Sequence, residues 1–395
     1  MGDRDRRPSL DNWLEPPANR WGFCHVREIV PTACIARGGG VAVLTKGEPI
    51  DLDSCAVEAN GRHYSARQAM DESYTDALIV VHRGRIVVEH YGPEMAPDRT
   101  HLLNSVSKSV TSSLTGVLVS EGLLALDDRL TTHVAELVGT SFEGATVQQL
   151  LDMRAGIKFS EDYADLDADV RVYEQIAGHR PRTRTDLVES LYDYMPTLAR
   201  RGEHGGQFLY QSILTDLLGW VVERAAGAPF AELVASRIWS KIGAEHDAEV
   251  TVDPGGCALA DGGVCATLRD LARFGLAHLA NNSVAERHVI APDWVRECTR
   301  RNDELASAFV NDGADGRIRF TMYHNNWWVL DPVGPVFAGL GINGQFLYLD
   351  GATETVVVKY SSWPRALDAE LGDLHFAMAR SFAVAARNVS GSASR

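Results

Sequence analysis

Lysine is scarce in this chain. Of 38 basic residues only Lys46, Lys108, Lys158, Lys241 and Lys359 carry an ammonium group, against 53 acidic residues and a formal net charge of −15. Nucleic acid and anionic membranes favour a basic face, so neither is an expected partner. No apolar run approaches the length of a bilayer span, which argues against a membrane-crossing helix. The first stretch, "MGDRDRRPSL", is charged and is followed by no apolar segment, so no export signal is expected and the cytoplasm is the expected location. The six cysteines, Cys24, Cys34, Cys55, Cys257, Cys265 and Cys298, lack the paired spacing of metal ligands and are expected to be reduced. With no phosphate-binding loop either, no metal or cofactor is implied.

What remains is an ordinary globular composition, 45% hydrophobic and 23% charged, spread over 395 residues. That length exceeds one ordinary core and predicts two lobes, or one domain with a large insertion. "ALIVVH" and "RIVVEHY", separated by Arg83-Gly84, read as a hairpin, and "QFLYLD" with "TVVVKYSS" reads as a second one near the other end. "WWVLD" adds a strand, and the segment beginning "LDAELGDLHFAMARSF" has helical spacing. Between the hairpins the pattern is helical. "SVSKSVTSSLTGVLVSEG" should stop at Gly122, "TVQQLLDMRAG" at Gly156 and "TDLLGWVVERAAG" at Gly227, with "TLRDLARFGLAHLA" a further amphipathic segment. The expected architecture is α+β: an antiparallel sheet built from residues 1–104 and 315–395, flanked by helices, with a mainly helical domain inserted over 105–314. The final "SGSASR" looks irregular.

The chemistry centres on "NSVSKSV". Ser105 and Lys108 stand three apart, on one helix face, so the amine can reach the hydroxyl. A serine hydroxyl is a poor nucleophile until a base takes its proton. Burial of that lysine would disfavour its ammonium form, which suits a base near neutral pH. The helix N-terminus would offer N–H groups where an oxyanion forms. Alone, the pair reads more simply as two polar residues that share a helix face. Two further stretches bear on it. "QFLYQSILTD" sets Tyr210 and Ser212 just before a helix, and "AGLGINGQFLYLD" sets Gly341-Ile342-Asn343-Gly344 at a strand start, where backbone must approach something closely.

Ser-x-x-Lys, then Tyr-x-Ser in place of Tyr-x-Asn, then a Gly-rich strand in place of Lys-Thr-Gly, resembles the penicillin-recognising serine hydrolases: class C β-lactamases, DD-peptidases and related esterases. Within them the chain most resembles the 6-aminohexanoate-dimer hydrolases, amidases of nylon oligomers, through "LDNWLEPPANRWGF", "HLLNSVSKS", "EDYADLDADV", "LADGGVCATLRDLAR" and "GINGQFLYLD". The resemblance implies a β-lactamase/DD-peptidase-like fold, Ser105 as nucleophile, Lys108 as general base and Tyr210 as proton shuttle. It also implies an oxyanion hole made by the N–H groups of Ser105 and Ile342, and Tyr163 as a lid residue contacting the leaving group. Glu174 falls where those hydrolases have an aspartate that pairs with the substrate ammonium, and Asp261 where they have an asparagine. Asn343 replaces a histidine, and no lysine stands in the third motif, which weighs against β-lactams because a cation for their carboxylate is missing.

Independently, "EDYADLDADVRVYE" carries six carboxylates and one arginine. It reads either as a solvated acidic loop or as a negative rim that draws in an ammonium-bearing substrate. Other candidates have plainer readings. His101 is expected to be a satisfied polar group, and Trp327, Trp328 and Phe337 to be core or the wall of an acyl pocket. The expected function is hydrolysis of linear amides or esters of ω-amino acids. A short-chain carboxylesterase and a non-catalytic binding protein are the alternatives, and a homodimer stays open.

Overall fold

The structure, a computed structural model, describes residues 7–279, 289–309 and 320–392. The 314/315 domain boundary expected from the sequence lies outside these. Among the described residues its main sheet has eight strands: β1 Thr45–Lys46, β2 Thr75–His82, β3 Arg85–Tyr91, β4 Met322–His324, β5 Trp327–Asp331, β6 Val336–Gly341, β7 Gln345–Asp350 and β8 Thr355–Ser361. Their spatial order is β4-β5-β6-β7-β8-β2-β3-β1, antiparallel except for the short β1–β3 pair. Both hairpins form as expected. Arg83 and Gly84 take φ of 48° and 73°, the left-handed pair that a two-residue hairpin turn demands.

The central strands are apolar on consecutive residues because both faces of the sheet are covered. Ile79, Val81, Val356 and Val358 face the helical side, whereas Leu78, Val80 and Val357 pack with Phe376 and Phe382 of the C-terminal helix Ala369–Ser392. That helix runs through Ser390, so the tail expected to be irregular begins in helix; residues 393–395 lie outside the description. The helix Ser107–Ser120 is buried along nearly its whole length. Its many hydroxyls are tolerable there because Thr111, Ser113 and Thr115 donate to carbonyls four residues back. Gly116 is required where the helix passes Trp294, since a Cβ would lie 2.3 Å from the indole.

Gly122 and Gly227 end their helices with positive φ as expected. The helix over "TVQQLLDMRAG" is shorter than expected, Val147–Leu151, because Met153 turns left-handed before Gly156 is reached. The central 105–314 stretch is also less purely helical than its pattern suggests. Its strands Ala248–Thr251 and Val264–Ala266 join Thr32–Ile35 and His101–Leu102 in a second, four-stranded sheet. Among the described residues no helix is long and apolar enough to cross a membrane.

Candidate active site

Ser105 sits in a tight turn, Asn104–Val106, that leads into the buried helix Ser107–Ser120. Asn104 adopts a left-handed φ of 45°, and its side-chain amide donates to the Ile342 carbonyl at 3.0 Å. This bond ties the serine turn to the end of β6. Gly341 permits the approach, because a Cβ there would lie 2.7 Å from the Leu103 carbonyl oxygen.

Lys108 Nζ donates to Ser105 Oγ at 2.8 Å, to Ser212 Oγ at 2.9 Å and to the Asp261 carbonyl at 3.1 Å. The Asp261 carboxylate stands 3.5 Å away. The Tyr210 ring lies 5.1 Å from Nζ, stacks on Trp328 at 5.6 Å, and turns its hydroxyl toward Ser105 and Lys108. Ser105 and Ile342 open onto a cavity of ≈ 450 Å³. Glu161, Tyr163 and Tyr210 form its polar end, and Phe320, Trp328, Leu340, Phe346 and Phe376 its apolar walls. The volume and lining suit a small organic substrate.

The charge state expected for Lys108 needs correction. Burial does push the amine toward neutrality, but Tyr210, Asp261, Glu161 and Asp216 outweigh it and hold the ammonium form above the ordinary lysine range. The motif alone hides this because those acidic groups come from three distant segments. Tyr210 is likewise raised, by burial, with Lys108 opposing.

Chain-wide comparison adds the relatives. The Beta-lactamase family model matches residues 62–377. A 6-aminohexanoate-dimer hydrolase from Paenarthrobacter ureafaciens is 36% identical over 90% of this chain and 88% of its own. The chain belongs to the β-lactamase family. Among solved structures, one from Bacillus anthracis with the provisional name 6-aminohexanoate-dimer hydrolase superposes with a TM-score of 0.87 at 27% identity, covering 98% of both chains. EstCE1, a hydrolase with promiscuous acyltransferase activity, matches at TM-score 0.59 and 14% identity over 80% of this chain and 95% of its own, a likeness of fold alone. Membership makes the chain a serine hydrolase of the β-lactamase superfamily, with hydrolysis of amides or esters through an acyl-enzyme.

The remaining expected residues of this β-lactamase-family site divide into two groups. Tyr163 lines the Ser105 cavity and donates from its hydroxyl to Glu161 at 2.9 Å. Asp261 lies beneath Lys108 and accepts from the Tyr173 hydroxyl at 2.9 Å, while its backbone N–H donates to Asp216 at 3.0 Å. Glu174 sits apart. Its carboxylate is held by Arg171 at 2.8 Å and Arg180 at 2.6 Å, facing an adjoining cavity of ≈ 360 Å³. Both guanidinium groups bond the same oxygen, Oε2, so a substrate ammonium would share this carboxylate with two cations. Asn343 lines that second cavity too, but its side chain donates to the Trp363 carbonyl at 2.9 Å and its φ is 57°. It therefore shapes the turn, a backbone position asparagine tolerates well.

Three residues of the site escaped sequence reasoning. Glu161 looked like one more charge of an acidic run, yet it turns inward and accepts from the Ser212 hydroxyl at 2.6 Å. Tyr173 and Asp216 form the floor under Lys108: an Asp216 carboxyl oxygen lies 2.8 Å from the tyrosine oxygen, and burial beside Asp261 raises the Asp216 carboxyl well above the usual range. Only the helical spacing of Tyr173 and Asp216 on apolar faces hinted at inward placement. His101 contributes nothing to the cavity; it is buried against Asp76 at 3.4 Å and stacks on Tyr360. Trp327 and Phe337 pack in the core, and Trp328 alone of the three aromatics reaches the cavity.

Proposed function

We propose that the protein hydrolyses linear amides and esters, with Ser105 as nucleophile, Lys108 as its base and Tyr210 as the shuttle that protonates the leaving amine or alcohol. The N–H groups of Ser105 and Ile342 stabilise the oxyanion, and Tyr163 contacts the leaving group. The observation that carries this reading is the 2.8 Å contact between Lys108 Nζ and Ser105 Oγ at the edge of a substrate-sized cavity. The substrate class is an ester or amide of an ω-amino acid, with 6-aminohexanoate dimer first, a choice supported by the 36% identity to the Paenarthrobacter enzyme. Hydrolysis of a short-chain p-nitrophenyl ester tests the reading. Ser105→Ala should lower turnover at least about 10³-fold, and near-normal turnover in that variant ends the proposal.

A second reading, a carboxylesterase without useful amidase activity, is favoured by the two arginines on Glu174, which compete with a substrate ammonium. An assay on the dimer separates the two. Under the first reading Glu174→Gln impairs ammonium-bearing substrates only; equal loss on simple esters removes Glu174 from substrate recognition.

A further inference from the structure

We propose that Glu161 is the resting place of the proton that Lys108 must lose before it can act, and that the Ser212 hydroxyl carries this proton between them. The proposal rests on the Ser105–Lys108 reading above. Its starting point is the geometry of Nζ. An ammonium has three donors and no lone pair, and here all three N–H groups are directed at acceptors: Ser105 Oγ, Ser212 Oγ and the Asp261 carbonyl. In that state Lys108 cannot accept the Ser105 proton. It must first pass one on, and the site is closed in by protein on the Lys108 side.

One of the three contacts leads onward. Ser212 Oγ accepts from Nζ at 2.9 Å and donates to Glu161 Oε1 at 2.6 Å, while the Ser212 backbone N–H donates to Glu161 Oε2. Asp261 is the rival acceptor, but its carboxylate stands 3.5 Å from Nζ with no hydroxyl between, and one of its oxygens already accepts from Tyr173. Asp216 lies behind it, bonded to Tyr173 and to the Asp261 N–H. Glu161 itself faces Lys108, Tyr163 and Tyr210. Burial raises its carboxyl above the usual glutamate range, with Lys108, Ser212 and Tyr163 opposing, so protonation of Glu161 is easier than for a solvated acid.

The steps balance. An Nζ–H bond breaks as Ser212 Oγ takes the proton and its own Oγ–H passes to Glu161, leaving a neutral amine and a neutral acid. Ser105 Oγ then bonds to the acyl carbon while its proton goes to Nζ. As the bond to the leaving oxygen or nitrogen breaks, Tyr210 supplies that atom with a proton and is reprotonated from Nζ. In deacylation, water adds to the acyl carbon and its proton returns by Nζ to Ser105 Oγ. Glu161 gives back the relay proton at the end.

Resting and active pairs hold the same number of protons, so their ratio does not change with pH while the pair keeps its one shared proton. This separates a relay from a structural role. The test is kcat/KM for p-nitrophenyl acetate from about pH 6 to about pH 9. The wild-type profile should be flat. In Glu161→Gln the lysine proton can leave only to solvent, so kcat/KM should climb about tenfold per pH unit, and the deficit against wild type should shrink as pH rises. Ser212→Ala keeps both members of the pair, so its profile should stay flat while kcat/KM falls at every pH, and Ser212→Thr, which keeps the hydroxyl, should restore the rate. A Glu161→Gln profile parallel to wild type, or superimposed on it, overturns the relay. If Glu161→Gln does not fold, Glu161→Ala is read by the same criterion, and wild-type kcat/KM in Ser212→Ala removes Ser212 as the carrier. Retained turnover in Ser105→Ala would instead overturn the underlying reading, whereas inactive Ser105→Ala with a flat Glu161→Gln profile removes the relay alone.

Discussion

Two of the five lysines are fully buried, and their surroundings shift them in opposite directions. Lys359, in the middle of the main sheet, donates to the Ser73 carbonyl at 3.0 Å and to the Ser361 hydroxyl. Burial pushes it well below the ordinary lysine range; Asp76 opposes this, and Arg20 reinforces it. Lys108 is as deeply buried, yet Tyr210, Asp261, Glu161 and Asp216 reverse the effect of burial and keep it charged. Where burial dominates, the ammonium form is disfavoured; where acidic groups crowd a buried amine, that form is favoured. A buried charge is costly unless it is paired and fully hydrogen-bonded, and Lys108 meets both conditions.

The comparison can be broken at either lysine. Lys108→Met should lower kcat/KM for a p-nitrophenyl ester by about 10²–10⁴-fold, the span of a lost general base; a loss under about tenfold would leave the site's charge network without a role. Tyr210→Phe keeps the ring on Trp328 but deletes the hydroxyl facing Ser105. It should cost about 10²-fold, and more with an amide than with a p-nitrophenyl ester, whose leaving group needs no proton. Equal losses on both substrates would remove the shuttle. Lys359→Met should keep ester turnover within about threefold and change urea-unfolding stability by roughly 1–2 kcal/mol, the order of the lost hydrogen bonds. Strong loss of turnover there would mean that the two lysines are not so different.

A pH-dependent effect on stability alone concerns a buried base with no carboxylate among its causes of shift. Burial lowers His278 from 6.5 to about 4, while its ring bonds to Ser113 and the Phe274 carbonyl. A depressed base favours folding fully above its unfolded pKa of 6.5 and progressively less as pH falls toward 4. The destabilisation caused by His278→Gln should therefore shrink by up to about 1.4 kcal/mol per pH unit across that window. A constant difference in urea unfolding would contradict a neutral His278.

Legibility followed the range of the interactions. The Ser105–Lys108 spacing, the Arg83-Gly84 turn and the stops at Gly122 and Gly227 are local, and each could be read from neighbouring residues. The charge on Lys108 could not, because it is set by residues up to 153 positions away, the Asp261 carbonyl among them. Glu161 was hidden in a run that resembles a solvated loop, and it is distinguished only once Ser212 folds against it. Glu174 drew a functional reading from its position, and its bond to Arg180, six residues on, was not legible there. The second sheet was missed because its strands, two to four residues long, lie scattered among helices and gain their identity from pairing with the N-terminal segment.

The account depends most on a covalent bond to one oxygen. Wild-type enzyme quenched with acid during turnover of a p-nitrophenyl ester should carry one acyl group, and peptide mass spectrometry should place it on Ser105. An acyl group on another residue, or substrate turnover with no adduct under quenching fast enough to trap one, would contradict it.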